Sequence, residues 1–242
     1  MATQILQNAK VYVAQFDLSG DINSVVLDYN ADDVEETSFG DDTHKFKGGL
    51  KQSTMSMAGG WSGGASNDAV VWTRVGTADV PVSVGPVAGA AGEAAYLFLA
   101  EHRNFTPAGG VGELLRYTSE ARGTGPLISG DFLFNGTETA TDDGTAFQLG
   151  AVAAGKTLYA ALHVISASAG DTLDVTIQSD SVEGFGGTPE TQITFTQITG
   201  GTEASEWKTV VGAITDTWYR ARWTVAGNGS ESFQFVVTMG IL

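Results

Sequence analysis

The sequence predicts an all-β protein, built as an antiparallel β-sandwich or barrel, and three observations favour this fold class. Several segments alternate apolar and polar residues, as a strand does when one of its faces is buried. Glycine is abundant at 32 of 242 residues whereas proline contributes only 5, a ratio that suits many tight turns. No segment carries a persuasive 3.6-residue apolar stripe over three turns, so we expect at most one or two short helices.

Four segments carry the alternation that predicts strands. The clearest is 171–180, in which Leu173, Val175 and Ile177 share one face. The other three have these apolar faces: Tyr219, Ala221, Trp223 and Val225 in 218–225; Phe233, Phe235, Val237 and Met239 in 232–239; and Tyr12, Ala14, Phe16 and Leu18 near the start. We expect a half-buried strand in each segment, because alternate residues of a strand point to opposite faces.

Two shorter signals concern a hairpin and a helix. Gly227, Asn228 and Gly229 separate the last two alternating segments, and such residues tolerate the positive φ that two-residue hairpin loops require. The sequence therefore predicts an antiparallel C-terminal hairpin. The alanine-rich stretch 90–102 is the best candidate for a helix, because alanine has the highest intrinsic helix propensity.

An internal likeness suggests two related modules. Residues 84–92 resemble residues 149–155, and the likeness continues with 113–121 against 173–181. Because 173–181 lies in the clearest predicted strand, we expect 113–121 to be a strand as well. At least three stacked units are usual in a solenoid, so two copies favour a degenerate duplication of a β module.

The seam between the two modules is expected in the turn-rich stretch 123–126, because glycine and proline favour connections. The N-terminal module would then comprise 1–125, with a long hairpin and an acidic passage. The C-terminal module would comprise 126–242. The alternative is one continuous domain.

Composition and charge exclude several classes of function. The chain has 28 acidic against 12 basic residues, a formal net charge of −16, so DNA, whose binding needs phosphate neutralisation, would be repelled. The absence of cysteine excludes disulfide scaffolds and thiol nucleophiles. The most apolar stretch, 87–100, is shorter than the roughly 20 residues that span a membrane, and the first ten residues show no secretory signal. We therefore expect no membrane association.

One motif matches an enzyme signature. The sequence G-W-S-G-G at 60–64 fits the nucleophile elbow of hydrolases, with His102 and His163 as nominal bases. That elbow lies between a buried parallel strand and a helix, whereas here the loop continues and α/β alternation is missing. We therefore interpret the motif as a glycine-rich turn and expect no catalytic residues, no cofactor and no enzymatic activity.

The sequence contains no complete pattern of metal ligands. Residues 28–32 begin like a calcium loop, but Asp33 replaces the turn glycine and Phe39 stands where the last ligand, a glutamate, is needed. The histidines at 44, 102 and 163 are far apart in the sequence and lack the close spacing of shared metal ligands. We expect no metal site, with an adventitious calcium between subunits as the alternative.

The most distinctive feature is the segregation of charge. Lys45, Lys47 and Lys51 directly follow a passage without Lys or Arg that contains seven carboxylates: Asp28, Asp32, Asp33, Glu35, Glu36, Asp41 and Asp42. One interpretation is a solvated acidic loop. The other is an assembly surface, because complementary patches orient the head-to-tail association of copies, or an acidic channel wall, along which another polyanion would pass without adhering.

Three passages of the N-terminal half form a recognisable set: DLSGDINSV at 17–25, VEETSFGD at 34–41 and FKGGLKQSTMSM at 46–57. They resemble the major tail tube proteins of long-tailed (siphovirus-type) bacteriophages. Those proteins share a strand, a thin-walled hairpin and a T-x-F-G-D … G-L-K passage. Four later segments also resemble phage tail proteins: 162–163, 173–180, 214–220 and 233–235.

The resemblance implies a β-sandwich or barrel of the tail-tube type, whose long hairpins join those of neighbouring copies into a ring with a β-lined channel. Stacked rings would form a tube through which phage DNA passes during ejection, without adhering to an electronegative lumen. The acidic passage 32–42 would line the lumen or a ring-to-ring surface, with the lysines at 45–51 as its partner. A helix flanking the sandwich would have to come from 90–102.

The same resemblance implies the partners and the location. The chain would associate with itself, as hexameric rings or as trimers of doubled modules. It would also meet a tape-measure protein, a tail terminator and a distal tail protein. It would be made in the host bacterial cytoplasm and reside in the virion tail.

Two alternatives stay open from the sequence. One is a capsid decoration or tail-fibre protein, which would form closed trimers. The other is a carbohydrate-binding β-sandwich, in which exposed Trp61, Trp207 or Trp218 would provide a platform for a sugar ring.

Overall fold

The computed structural model of the chain describes residues 8–61 and 67–242, which fold almost entirely into strands. The strands before the helix are β1 (Lys10–Val13), β2 (Phe16–Asp17), β3 (Ile22–Glu35) and β4 (Phe46–Gly60). The helix is α1 (Asn67–Arg74). The later strands are β5 (Val80–Gly85), β6 (Ala94–Ala108), β7 (Arg116–Gly123), β8 (Ile128–Glu138), β9 (Asp142–Asp143), β10 (Phe147–Gln148), β11 (Thr157–Ala167), β12 (Thr172–Asp180), β13 (Glu190–Thr194), β14 (Ile198–Thr199), β15 (Ala204–Val211), β16 (Trp218–Ala226) and β17 (Phe233–Ile241).

The chain divides into two compact units, each built from separate stretches of sequence. Unit 1 comprises the described residues up to Gly20 together with 80–97 and 128–242, and unit 2 comprises 21–79 and 98–127. Strand β6 therefore begins in unit 1 and ends in unit 2. The predicted modules, which rest on an internal sequence likeness, stay a prediction.

Unit 1 is an antiparallel β-sandwich. Its larger sheet has the strand order β15-β11-β17-β8-β6-β5-β1-β2 and is open, with β15 and β2 at its ends. Its smaller sheet has the order β10-β16-β12-β13, and β14 and β9 pair with β12 and β16 respectively. Apolar side chains from both sheets form one buried core, among them Val175, Trp223, Phe235 and Val237. The predicted all-β antiparallel sandwich is confirmed.

The alternating segments at the C-terminal end form the predicted strands. Strand β12 buries Leu173, Val175 and Ile177, as expected for its apolar face, and β16 and β17 occupy the other two late segments. The predicted strand at 113–121 appears as β7, which begins three residues later at Arg116. Periodicity was informative here because each of these strands has one face on a core.

The predicted C-terminal hairpin is wrong. Strand β16 pairs with β12 in the smaller sheet, whereas β17 pairs with β11 and β8 in the larger one. Residues 227–232 therefore cross the gap of about 10 Å between packed sheets. The carboxylate of Asp171 anchors this crossing, because it accepts a hydrogen bond of 3.2 Å from the amide of Asn228.

Two further expectations are corrected. The predicted helix at 90–102 is mostly strand β6, in which Ala95, Leu97 and Ala100 are buried, so packing overrides the helix propensity of alanine. The alternating segment near the start is a hairpin of β1 and β2 rather than one strand, with Tyr12 opposite Asp17. The turn between the two strands contains Ala14, whose positive φ of 51° lets the chain reverse direction.

Unit 2 is a four-stranded antiparallel sheet with one helix. The strand order is β3-β4-β7-β6. One face is buried, with Met55 and Met57 on β4 and Tyr117 on β7, and Trp72 of α1 contacts Phe105 edge-on at 6.3 Å between ring centroids. Within the described residues, no helix is long and apolar enough to cross a membrane.

Candidate assembly surface

The β3–β4 hairpin extends well beyond the rest of the unit 2 sheet. The two strands pair from Ile22 opposite Gly59 to Glu35 opposite Phe46. Strand β7 pairs with β4 only from Thr54 to Gly60. Residues 46–53 of β4 therefore have β3 as their strand partner in the described part of the chain, and this half of the hairpin is a two-stranded ribbon.

The ribbon is exposed on both faces. Every residue from 28 to 52 is exposed apart from Asp41, which is half-buried. The exposed residues include large apolar side chains: Phe39 is fully exposed and Leu50 is 82% exposed. An isolated two-stranded hairpin is at best marginally stable in water. Because both faces of this ribbon are exposed, both are open to contact with a partner.

The predicted acidic and basic residues lie on the two arms of this hairpin and on its turn. Asp28, Asp32, Asp33 and Glu35 belong to β3, and Lys47 and Lys51 belong to β4. The turn, residues 36–45, carries the rest: Glu36, Asp41, Asp42 and Lys45. The sequence separates the two charges, whereas strand pairing brings them side by side.

All three lysines have partners within the hairpin. The ammonium of Lys45 contacts the carboxylate of Asp41, and Lys47 Nζ lies 3.4 Å from Glu36 Oε1. Lys51 Nζ lies 5.7 Å from the ring centroid of Tyr29, within the range of a cation–π contact. The basic passage thus partly neutralises the acidic passage of its own chain.

Hydrogen bonds organise the turn. The amide of Ser38 donates to Asp41 Oδ2 at 2.9 Å, and the amide of Asp41 donates back to the Ser38 carbonyl at 3.1 Å. The bonds from Lys45 and the Ser38 amide lower the pKa of Asp41. Those from Thr37 (2.7 Å) and His44 (2.6 Å) lower the pKa of Glu35. Both carboxylates are therefore held in the charged form.

Four carboxylates of the hairpin stay uncompensated. Asp28, Asp32, Asp33 and Asp42 are exposed, and none of them forms an ion pair with a described residue. The ribbon therefore keeps a surplus of negative charge after its internal pairs are counted. Asp28 and Asp32 lie on strand β3, not in a loop, and no group of three or more potential metal ligands occurs among the described residues.

The solvent face of the unit 2 sheet is polar but is not predominantly acidic. A shallow depression of about 220 Å³ on this face is lined by small polar side chains, including Ser24, Ser56 and Thr118. Two arginines of the sheet have partners. Arg103 pairs with Glu120 at 3.4 Å, and Arg122 donates to Gln52. The negative surplus is thus concentrated on the protruding ribbon, a distinction that composition alone did not reveal.

The unit 2 sheet has two free edges. Strand β3 pairs only with β4 among the described strands. Beyond His102, β6 pairs with β7 as far as Ala108. On the opposite side of β6 a bridge joins Val75 to His102, and in the described part of the chain no strand pairs there with 103–108. Unpaired edges are templates for pairing with another chain.

The nominal catalytic histidines are buried in different units. Burial, together with the charge of Arg74, lowers the pKa of His102 to about 4, and neither of its ring nitrogens has a partner among the described residues. Burial also lowers the pKa of His163 to about 4. Residues 62–64 of the elbow-like motif lie outside the described residues.

His163 belongs to a buried hydrogen-bond network in unit 1. Its Nδ1 donates to the carbonyl of Ala14 at 2.5 Å, because a carbonyl can only accept, and this fixes Nε2 as an acceptor for Ser83 Oγ at 2.8 Å. Ser83 Oγ in turn lies 2.8 Å from Thr238 Oγ1. The network joins the β1–β2 turn to three strands and gives His163 a structural role.

The three tryptophans expected in a sugar platform belong to different sheets or to different units. Trp207 lies on β15 of the larger sheet and Trp218 on β16 of the smaller one. Trp207 contacts Tyr159 at 5.9 Å between ring centroids. Trp61 is in unit 2 and is half-buried. The most exposed tryptophan among the described residues is Trp72, at 63%.

Comparisons with known proteins found similarity in solved structures. No protein-family model matches the chain, and no curated protein matches it. The SPP1 tail tube is similar with a TM-score of 0.43 and 8% identity, over 51% of this chain and 77% of that one. A virion protein of a native gene transfer agent particle is similar with a TM-score of 0.41 and 13% identity, over 52% and 97%.

A third similar structure spans nearly the whole chain. The SPP1 Dit protein, a hub protein of the adsorption apparatus, matches 98% of this chain and 100% of its own, with a TM-score of 0.38 and 13% identity. All three identities lie below 25% and all three TM-scores below 0.5. Similarity at this level carries no argument about function.

Proposed function

We propose that the chain is a non-catalytic structural protein of a phage virion, whose copies form the stacked rings of a tail tube through which DNA passes during ejection. The observation that carries the proposal is the unit 2 sheet, which has two free edges and a long ribbon exposed on both faces. A folded monomer does not need such a ribbon for its core. The resemblance of passages 17–25, 34–41 and 46–57 to tail tube proteins supports the same function.

Ring closure uses the two free edges. The outer edge of β3 in one copy pairs with residues 103–108 of β6 in the next, so the unit 2 sheets form one continuous β-structure around a channel. Main-chain hydrogen bonds supply the affinity in such strand addition. The described residues provide one long-hairpin sheet per chain, which favours a hexamer over a trimer of doubled modules.

The solvent face of the unit 2 sheet lines the channel, because its other face is buried in the unit. Arg103 and Arg122 have partners, so among the described residues of that face Arg116 is the one exposed arginine without a partner, and the acidic ribbon adds repulsion. DNA is thus a passenger that does not adhere, since non-specific affinity requires phosphate neutralisation. A tape-measure protein, a terminator and a distal tail protein complete the proposed virion tail, after synthesis in the bacterial cytoplasm.

Cysteine cross-linking tests ring closure directly, because the chain has no cysteine of its own. The double variant Asn30→Cys/Thr106→Cys places one exposed thiol on β3 and one on β6. A short bismaleimide reagent should then give a ladder of covalent oligomers on a denaturing gel. The ladder should end at the ring size, because a ring closes on itself.

The two single-cysteine variants are the matched controls and should stop at dimers. A ladder ending at the hexamer supports the proposal, and one ending at the trimer with no further assembly favours the capsid-decoration or fibre alternative. Monomers alone at high protein concentration would refute edge-to-edge assembly.

A further inference from the structure

The unit 2 sheet has two poles at opposite ends of its strands. The β3–β4 turn, residues 36–45, lies at the Phe46 end of β4. The β6–β7 loop, residues 109–115, lies at the Gly60 end, because Arg116 pairs with Gly60. The 15-residue strand β4 separates the two poles by about 50 Å at the usual rise per residue.

Both poles present large apolar side chains to solvent. Phe39 is fully exposed at the turn. At the opposite pole Val111 is fully exposed and Leu114 is 72% exposed. Single exposed apolar residues are common on protein surfaces, but here they occupy the extreme tips of the same sheet, where a copy displaced along the strands would meet them.

The poles also differ in charge. Asp42 is exposed in the turn, whereas the loop pole carries the exposed carboxylate of Glu113 together with the exposed Arg116. Neither Asp42 nor Arg116 has an ion pair with a described residue. Arg116 balances the charge of Glu113 at the loop pole, whereas the turn keeps a negative surplus. A free carboxylate at one pole and a free guanidinium at the other are complementary between copies, and such complementarity orients association.

We infer that the turn 36–45 of one copy docks on the loop 109–115 of a second copy of this chain. Phe39 packs against Val111 and Leu114, and Asp42 pairs with Arg116. The contact is heterologous, because two different patches meet, so it propagates along one axis instead of closing a dimer. Its assignment to the contact between stacked rings rests on the proposed function.

A charge exchange tests the pairing. Asp42→Lys and Arg116→Glu should each raise the protein concentration at which sedimentable polymer first forms, by about tenfold. The double variant Asp42→Lys/Arg116→Glu should restore the wild-type value. Lys156→Glu is the matched control, because Lys156 is exposed in unit 1 and forms no ion pair with a described residue, and it should polymerise like the wild type.

The apolar contact has its own test. Phe39→Ser and Val111→Ser should each weaken polymerisation about tenfold, whereas Val182→Ser, at an exposed site of unit 1, should not. Cross-linking of the same preparations through residues 30 and 106 reports ring closure separately. An intact ladder with reduced polymer supports docking between the poles, and polymer that tolerates every pole substitution refutes it. Polymer that responds to the charge substitutions but gives no cross-linked ladder would support the docking between poles and refute ring closure through the strand edges.

Discussion

The sandwich of unit 1 and the β3–β4 ribbon of unit 2 are both antiparallel β-structure, yet they bury their side chains in opposite ways. Strand β12 alternates buried and half-buried residues along its length. The distal parts of β3 and β4 are exposed on both faces. The sandwich is therefore stabilised by its core, whereas the ribbon adds almost no buried apolar surface to the monomer.

This difference separates the residues that fold the chain from those available for assembly. Burial of apolar surface is the main stabilising contribution to folding, so the stability of the monomer depends mainly on residues such as Trp223 and Phe235 in the core. The ribbon keeps Phe39, Phe46 and Leu50 in solvent. Their exposure is explained if copies of the chain cover them.

Among single substitutions, truncation of a core side chain should have the largest effect, and it distinguishes the two regions. Trp223→Ala should lower the free energy of unfolding by about 3–5 kcal/mol, because it opens a cavity in the sandwich core. Phe46→Ala, in the ribbon, should change it by less than about 0.5 kcal/mol, as is usual for surface positions. Urea denaturation of both variants measures the contrast. Equal losses would show that the ribbon is part of the folding core.

The pH dependence of stability should come from both units. His102 and His163 have pKa values of about 4 in the folded protein against 6.5 as the reference, so unfolding takes up protons between these values. Their contribution is fully present above pH 6.5 and is lost as the pH falls toward 4, by about 3 kcal/mol for each histidine. Urea denaturation at pH 7, 5.5 and 4.5 measures this loss. A flat profile would contradict the neutral, buried state of both rings.

The two buried histidines should respond differently to replacement by leucine. His163→Leu leaves Ser83 Oγ without its histidine partner and deprives the Ala14 carbonyl of a donor, so unfolding should become easier by about 1–3 kcal/mol. His102→Leu removes no hydrogen bond recorded among the described residues and should change stability by less than about 1 kcal/mol. Thermal unfolding at pH 7.5, where both rings are neutral, checks the contrast. A larger loss for His102→Leu would reveal a partner for His102.

The smallest effect concerns the internal ion pairs of the ribbon. Lys47→Gln removes the pair with Glu36, and both side chains are more than half exposed. The free energy of unfolding should therefore change by less than about 0.5 kcal/mol. The extent of assembly should change more than the stability does, because the ribbon becomes more acidic. Light scattering at low and high salt would measure this change in assembly. A large loss of stability with unchanged assembly would reverse the distinction between ribbon and sandwich.

Much of the sandwich could be predicted from local patterns because its strands have one buried face. Strands β12, β16 and β17 alternate clearly for that reason. The partner of each strand is set by long-range packing, so the crossing at 227–232 resembled a hairpin and β6 resembled a helix. Alanine at 95 and 100 favours a helix locally, but these residues pack in a sheet.

The candidate site was only partly predictable. The acidic and basic passages were evident as runs of charge, and the resemblance to tail tube proteins implied a long hairpin there. The internal pairs could not be read from the runs, because strand register decides that Lys47 lies opposite Val34 and near Glu36. The free edge of β6 and the exposed pole at 109–115 depend on the topology of the whole sheet.

A cryo-electron microscopy reconstruction of the polymer grown from the purified chain would show directly which strand edges join the copies. We expect stacked rings in which β3 of each copy pairs with residues 103–108 of its neighbour and the unit 2 sheets surround an open channel. Monomers at high concentration, or an assembly held together through unit 1 with β3 unpaired, would contradict this expectation.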